Sequence, residues 1–229
     1  MKAWQKYAAE AFGTFVLVGI GCGVVMGEAL ASGSASGFTA AFGFGFAWLA
    51  ALYTVGRISG GHFNPVLSLA AYLDRAISAR DMLAYWVAQF VGAIGALGIF
   101  AWLFSADATA AATNGFNPGF GGFKAFSVEA ILTLILTAAF LTMMRSGAHT
   151  RYLGMGFSLF AVTLFGYGVT TAGMNPVRTL GPAIYSGQWT GVWVYLVGPL
   201  VGAIAGWVLY RLIVRGDTKF TDDLGAIAE

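Results

Sequence analysis

Apolar residues run in six stretches, at roughly 7–27, 38–56, 83–104, 125–144, 152–170 and 191–213. A helix crossing ~30 Å of hydrocarbon at ~1.5 Å per residue needs ~20 such residues, so each stretch predicts a membrane-spanning helix. Two further apolar stretches, about 64–73 and 175–186, reach only halfway across. Each opens on the same triplet, Asn64-Pro65-Val66 and Asn175-Pro176-Val177. The connection at 105–123, with Asn114, Asn117, Pro118 and several glycines, reads as a polar, turn-rich loop.

The pattern repeats. In the first span Glu10 precedes Thr14 by four residues, and in the fourth span Glu129 precedes Thr133 by four. Each half then runs through a second span, a short Asn-Pro segment and a third span. Three spans per half is an odd number, so the second half sits inverted relative to the first, and such repeats place a functional path near the bilayer midplane. The expected architecture is an all-α membrane protein: six transmembrane helices plus two re-entrant half-helices in an inverted 3+3 repeat. It forms one channel domain over 1–229. Repeat 1 covers about 4–104 and repeat 2 about 124–214, joined by 105–123 and followed by a polar, frayed tail at 215–229.

Composition narrows the class. Of 229 residues 58% are hydrophobic and 10% charged, where soluble domains carry about 25% charge. That excludes an ordinary soluble enzyme, a disordered chain and a nucleic-acid binder. One cysteine, Cys22, permits no internal disulfide, and two histidines, His62 and His149, are too few for a metal site. No cofactor is expected. Lys2 and Lys6 before an apolar run mimic a secretory signal, but Glu10 interrupts the run and the repeat requires this segment as a helix. Of twelve Lys and Arg, ten fall on the N-terminal side of the membrane, Lys124 on the other, and Arg178 within a short segment. The positive-inside rule then makes both termini cytoplasmic.

A half-helix ending in hydrocarbon exposes orphaned N–H groups, tolerated only where they are buried in protein or line a watery path. Asn is a good N-cap and Pro suits the first turn. Asn64 and Asn175 are therefore expected to cap two half-helices meeting N-end to N-end beside a path. Arg178, three residues into the second, is costly in a membrane unless it serves that path. Glu10 and Glu129 invite a proton-relay reading. Their matched positions favour support of the two re-entrant loops. His62 is expected to pack at the inner pore mouth rather than bind metal. Gly19, Gly23 and Gly27, with Gly198, Gly202 and Gly206, form small-xxx-small rows for close helix contact.

The chain resembles the aquaporin (major intrinsic protein) family in three pieces: Ala9-Glu10-Ala11-Phe12-Gly13-Thr14, Ser59-Gly60-Gly61-His62-Phe63-Asn64-Pro65 and Gly173-Met174-Asn175-Pro176-Val177-Arg178. The resemblance runs from about 4 to 214. Both triplets end in Val where most members have Ala. The resemblance implies a passive water channel that excludes protons and ions, in which Asn64 and Asn175 form the central constriction. It also implies pore-lining carbonyls from Gly60, Gly61, His62, Phe63, Thr171, Ala172 and Gly173, and an outer ring of Phe44, Thr163, Ala172 and Arg178.

Strict water channels resemble each other in having His where Thr163 stands, and glycerol conductors usually have Gly there with two aromatics. Thr179 and Ala183 look water-type, as does Tyr195, whereas Leu196 looks glycerol-type. A broader facilitator for glycerol or other small neutral solutes is the nearest alternative. A coupled transporter would need more ionisable groups, a junction protein would tolerate changes in the ring, and an intramembrane enzyme would need a catalytic constellation. The resemblance also implies a homotetramer with one pore per protomer in a lipid bilayer. Short loops suggest a bacterial inner membrane.

Overall fold

The computed structural model describes residues 1–148 and 150–214. His149 and the tail at 215–229 lie outside the described residues. Six long helices appear: α1 (Ala3–Ser32), α2 (Gly37–Ser59), α4 (Ala79–Phe104), α6 (Gly122–Arg145), α7 (Arg151–Thr170) and α9 (Val192–Val214). Two short ones, α3 (Pro65–Leu73) and α8 (Pro176–Ser186), begin immediately after Asn64 and Asn175. The fold is thus the six-span, two-half-helix architecture read from the pattern.

The spans outrun the apolar stretches at their ends. α1 begins at Ala3 and ends at Ser32, because helical hydrogen bonding continues through the polar interface: the Gly33 N–H closes on the Ala29 carbonyl with φ 83°. Ser36 then caps α2 by accepting from the Thr39 N–H, while Glu28 accepts from the Ser36 N–H at 2.7 Å and the Thr39 hydroxyl at 3.0 Å. The loop at 105–123 holds more regular structure than its turn residues suggested. Ser105 starts a short helix, α5 (Ala106–Ala111), and a 3₁₀ turn covers Pro118–Phe120. π-helical turns at Leu52–Gly56 and Tyr210–Val214 also carried no sequence signal.

Packing follows the repeat. α1 lies against α4 and α6 against α9, while α2 and α7 pair across the pseudo-twofold axis, and the two half-helices touch. Glycine sets the closest approaches. A Cβ on Gly92 of α4 would fall 2.1 Å from the Ala11 carbonyl of α1, and one on Gly202 of α9 would fall 2.2 Å from the Ala130 carbonyl of α6. The glycine row 198–202–206 packs along α6. In the first row, Gly19 and Gly23 seat Phe100 and Gly27 meets nothing within 4 Å.

The outer surface is apolar: Trp102, Val87, Phe165 and Phe42 are exposed, as expected of helices bathed in lipid. Charges gather at one end of the bundle. There Asp74, which follows α3, receives Arg145 from α6, and Arg211 of α9 lies 3.7 Å away. Lys6 pairs with Asp81 at 3.6 Å between the starts of α1 and α4.

Candidate functional site

The site is built around two buried glutamates. The Glu10 carboxylate accepts from the Ser59 hydroxyl (2.6 Å), the His62 N–H (3.0 Å), the Phe63 N–H (2.7 Å) and the Gln89 amide (2.8 Å). Glu129 accepts from the Thr170 hydroxyl (2.6 Å), the Gly173 N–H (2.9 Å) and the Met174 N–H (2.7 Å). Ser59, His62 and Phe63 stand 111 positions before Thr170, Gly173 and Met174, so these three contacts recur in both halves, and Gln89 is added only in the first. Each carboxylate satisfies the backbone of a loop that neither helix nor sheet could satisfy at this depth.

Those loops are strained. Gly60 and Gly61 take φ 101° and 72°, Phe63 takes 48°, and the second loop places Thr171, Ala172 and Met174 at 54°, 49° and 52°. A left-handed conformation costs a non-glycine residue roughly 1–2 kcal/mol. The hydrogen bonds to the glutamates oppose that cost.

At the ends of these loops, Asn64 and Asn175 adopt extended backbone and cap their helices. Asn64 Oδ1 accepts from the Val66 N–H and Asn175 Oδ1 from the Val177 N–H, both at 3.1 Å. The capping fixes which way each amide faces. Asn64 Nδ2 donates to the Met174 carbonyl at 2.9 Å, and Asn175 Nδ2 donates to the Phe63 carbonyl at 3.0 Å. This reciprocal exchange joins the two half-helix N-termini and leaves each amide one further N–H.

A narrow cavity passes this junction. Its wall includes Phe44, His62, Asn64, Thr163, Ala172, Gly173, Asn175 and Arg178, with Leu17, Trp48, Leu67, Leu136 and Leu159 on the apolar side. The volume open to the centre of a water molecule is about 20 Å³, where ~10–15 Å³ holds one water. Its lining does not include Gly60, Gly61, Phe63 or Thr171. Trp48 Nε1 donates to the Gly61 carbonyl at 3.1 Å and Asn175 takes the Phe63 carbonyl, so those acceptors are partly engaged by protein.

The structure brings Phe44, Thr163, Ala172 and Arg178 together on that wall. The Arg178 guanidinium carbon sits 4.9 Å from the Phe44 ring centre, within cation–π range. Arg178 Nη1 donates to the Ala112 carbonyl (2.7 Å) and to Asn114 Oδ1 (3.0 Å). Asn114 Oδ1 also accepts from the Thr179 hydroxyl at 2.8 Å, and its amide donates to Thr171 Oγ1 at 3.1 Å. Thr163 Oγ1, Arg178 Nε and His62 Nε2 are buried without a protein partner. All three belong to residues of the cavity wall.

Sequence reasoning overlooked Asn114, Ser68 and Gln89. Asn114 hid in a loop read as a linker. An amide inside a span, as Gln89 is, was a usable signal, since a polar side chain in a membrane segment needs a partner. No group of three or more His, Cys, Asp or Glu able to hold a metal ion occurs among the described residues.

Comparison with known proteins fits this geometry. The statistical profile of the family described as Major intrinsic protein matches residues 1–210. The chain belongs to the major intrinsic protein family. Aquaporin Z of Brucella melitensis biotype 1 is 34% identical over 226 residues, covering 93% of this chain and 99% of that one. Aquaporin NIP1-1 of Zea mays is 36% identical, covering 91% and 74%. The glycerol uptake facilitator protein-like 6 of Lactiplantibacillus plantarum is 36% identical, covering 87% and 94%. The fold matches the X-ray structure of the aquaglyceroporin from Plasmodium falciparum with a TM-score of 0.83 at 24% identity, over 93% and 97% of the two chains. The protein is accordingly a multi-pass membrane channel of this family, and its relatives are channels rather than enzymes.

Proposed function

We propose that the channel conducts water passively, down osmotic gradients, and excludes protons and ions. The observation that carries this reading is the junction of two Asn-capped half-helices beside a cavity whose open volume, about 20 Å³, holds one or two waters. Each helix N-terminus carries roughly +0.5 of an elementary charge. Two of them facing one point repel a cation in a medium that screens poorly. The remaining amide N–H of Asn64 and of Asn175 both donate to one water oxygen. That turns the water's hydrogens away from the centre on both sides and breaks a proton-relay chain. Neutral water loses little, because carbonyls of cavity-wall residues, His62 on one side and Ala172 and Gly173 on the other, accept its hydrogens in turn.

The ring of Phe44, Thr163, Ala172 and Arg178 acts as the selectivity filter. Arg178 repels cations and donates to the solute, and Phe44 supplies the apolar wall. A second reading, conduction of glycerol or another small neutral solute, is favoured by one observation: Thr163, a residue of the cavity wall, has a hydroxyl without a protein partner, where an imidazole would fill more of the ring. Light scattering from proteoliposomes after osmotic shock separates the two. Fast shrinkage in an impermeant osmolyte with slow re-swelling in glycerol supports the selective water channel. Fast re-swelling supports the facilitator. No acceleration over empty liposomes refutes both.

The same reading places the Asp74–Arg145–Arg211 end of the bundle in the cytoplasm with both termini, in a bacterial plasma membrane. It assembles the chain into a homotetramer with one pore per protomer.

A further inference from the structure

The imidazole of His62 is held on three sides. The rings of Tyr85 and Phe140 approach it edge-on at 5.1 Å each, and Nδ1 lies 3.0 Å from Ser68 Oγ. Nε2 is buried and has no protein partner, and His62 is a residue of the cavity wall. A Cβ on Gly60 would fall 3.0 Å from Nε2, so glycine there keeps this nitrogen clear. Whether Nε2 offers a hydrogen or a lone pair is decided by the proton on the opposite nitrogen.

That proton can be placed by counting donors. Glu10 receives hydrogens from Ser59, His62 N–H, Phe63 N–H and Gln89, so the Gln89 amide must turn its NH₂ toward the carboxylate. A flipped amide would set oxygen against oxygen. The other Gln89 hydrogen then points at Ser68 Oγ, 2.9 Å away. Ser68 Oγ has one hydrogen of its own and two lone pairs. It stands 3.2 Å from the Asn64 carbonyl, four residues back on its own helix, and accepts there no hydrogen because a carbonyl has none.

Two assignments remain. If Ser68 donates to Asn64, it accepts from Gln89 and from His62 Nδ1–H, and all three contacts carry a hydrogen. If Ser68 donates to Nδ1 instead, the contact to Asn64 is empty and a buried Nε2–H is left to find an acceptor. The first arrangement gains one net hydrogen bond, which corresponds to about a 2- to 10-fold preference.

We propose that Gln89 and Ser68 hold neutral His62 with its hydrogen on Nδ1, so that Nε2 presents a lone pair to the half of the pathway on the Asp74 side. Gln89 and Ser68 act as positioning residues. The lone pair adds a side-chain acceptor beside the His62 carbonyl. Waters leaving the Asn64–Asn175 junction have their hydrogens turned outward, so an acceptor matches them and a donor would oppose them. This functional role rests on the proposed water conduction. The proton position does not.

The test is ¹⁵N solid-state NMR of histidine-labelled protein in lipid vesicles. The chain holds only His62 and His149, so the His149→Asn variant leaves one imidazole. The expected spectrum shows a protonated Nδ1 and an unprotonated Nε2. A protonated Nε2 overturns the assignment, and that result leaves water conduction itself untouched. Ser68→Ala should move the hydrogen to Nε2 and lower osmotic water permeability severalfold, whereas Ser68→Thr keeps the hydroxyl, the spectrum and the flux. A spectrum unchanged by Ser68→Ala would remove Ser68 from the role. A changed spectrum with unchanged water flux would show that the pathway does not use the lone pair. If Ser68→Ala fails to fold, the spectra of the parent and Ser68→Thr still decide the assignment.

Discussion

Glu129→Gln changes one atom of the second loop's support and leaves volume and rotamer alone. In the parent, one carboxylate oxygen accepts from Thr170 and Gly173 and the other accepts from Met174. A glutamine has one oxygen to give. Placed toward Gly173, it turns its NH₂ on the Met174 N–H. Placed toward Met174, it turns NH₂ on the Gly173 N–H. Either way one buried backbone donor is left facing another donor, at a cost of ~1–3 kcal/mol, and the surviving bonds lose their charge assistance. Thr171, Ala172 and Met174 then keep their left-handed φ with less to oppose it. The sum is roughly 2–4 kcal/mol, which for a chain of this size lowers the unfolding midpoint by roughly 5–15 °C. Thermal unfolding in detergent, followed by loss of helical circular dichroism, measures it. Osmotic permeability should fall with it, since the same loop seats Asn175. A variant as stable and as permeable as the parent would refute the supporting role of Glu129.

Thr163→His should narrow the ring and reduce any glycerol flux while water flux survives; unchanged glycerol re-swelling in proteoliposomes would take Thr163 out of the filter. Asn114→Ala removes one of two acceptors for Arg178 Nη1, so the guanidinium gains freedom and the ratio of glycerol to water permeability should rise severalfold. An unchanged ratio would mean that the Ala112 carbonyl alone fixes it. Gly202→Val would drive a side chain into the Ala130 carbonyl, 2.2 Å from its Cβ. α6 and α9 must then part, at a cost of at least about 2 kcal/mol, read by the same thermal unfolding.

The spans, the half-helices and their Asn caps were legible because each follows from one local rule. Apolar length fixes a span, and an Asn-Pro start fixes a capped half-helix. Glu10 and Glu129 were legible as a pair only because the repeat placed them alike. Asn114 was not legible: its role depends on the segment after α5 reaching Arg178, a tertiary event that a run such as Ala110-Ala111-Ala112-Thr113 does not announce. The span ends were misjudged for a different reason. Hydropathy reports where hydrocarbon stops, whereas helices stop where caps such as Gly33 and Ser78 lie. The strained φ of Thr171, Ala172 and Met174 had no sequence mark either: glycine stands at the places matching the first two, Gly60 and Gly61, and Phe63 at the place matching the third.

The two halves share a scaffold and differ where it meets the pathway. The fourth residue after each capping Asn bears a hydroxyl, Ser68 or Thr179, and each lies near its own Asn carbonyl, at 3.2 Å and 3.4 Å. Their other partners diverge. Ser68 meets Gln89 and the His62 imidazole, while Thr179 donates to Asn114, which holds Arg178. The position matching His62 is Gly173, so the second re-entrant loop has no imidazole there, and the position matching Arg178 is Leu67, so the first half-helix has no cation there. With the proposed proton position of His62, a duplicated frame yields a neutral acceptor toward one end and a fixed positive donor toward the other. On the proposed function, ions are refused by the shared feature, the paired half-helix termini, and by Arg178. The same proposal leaves choice among neutral solutes to the ring at the arginine end, where the halves no longer match.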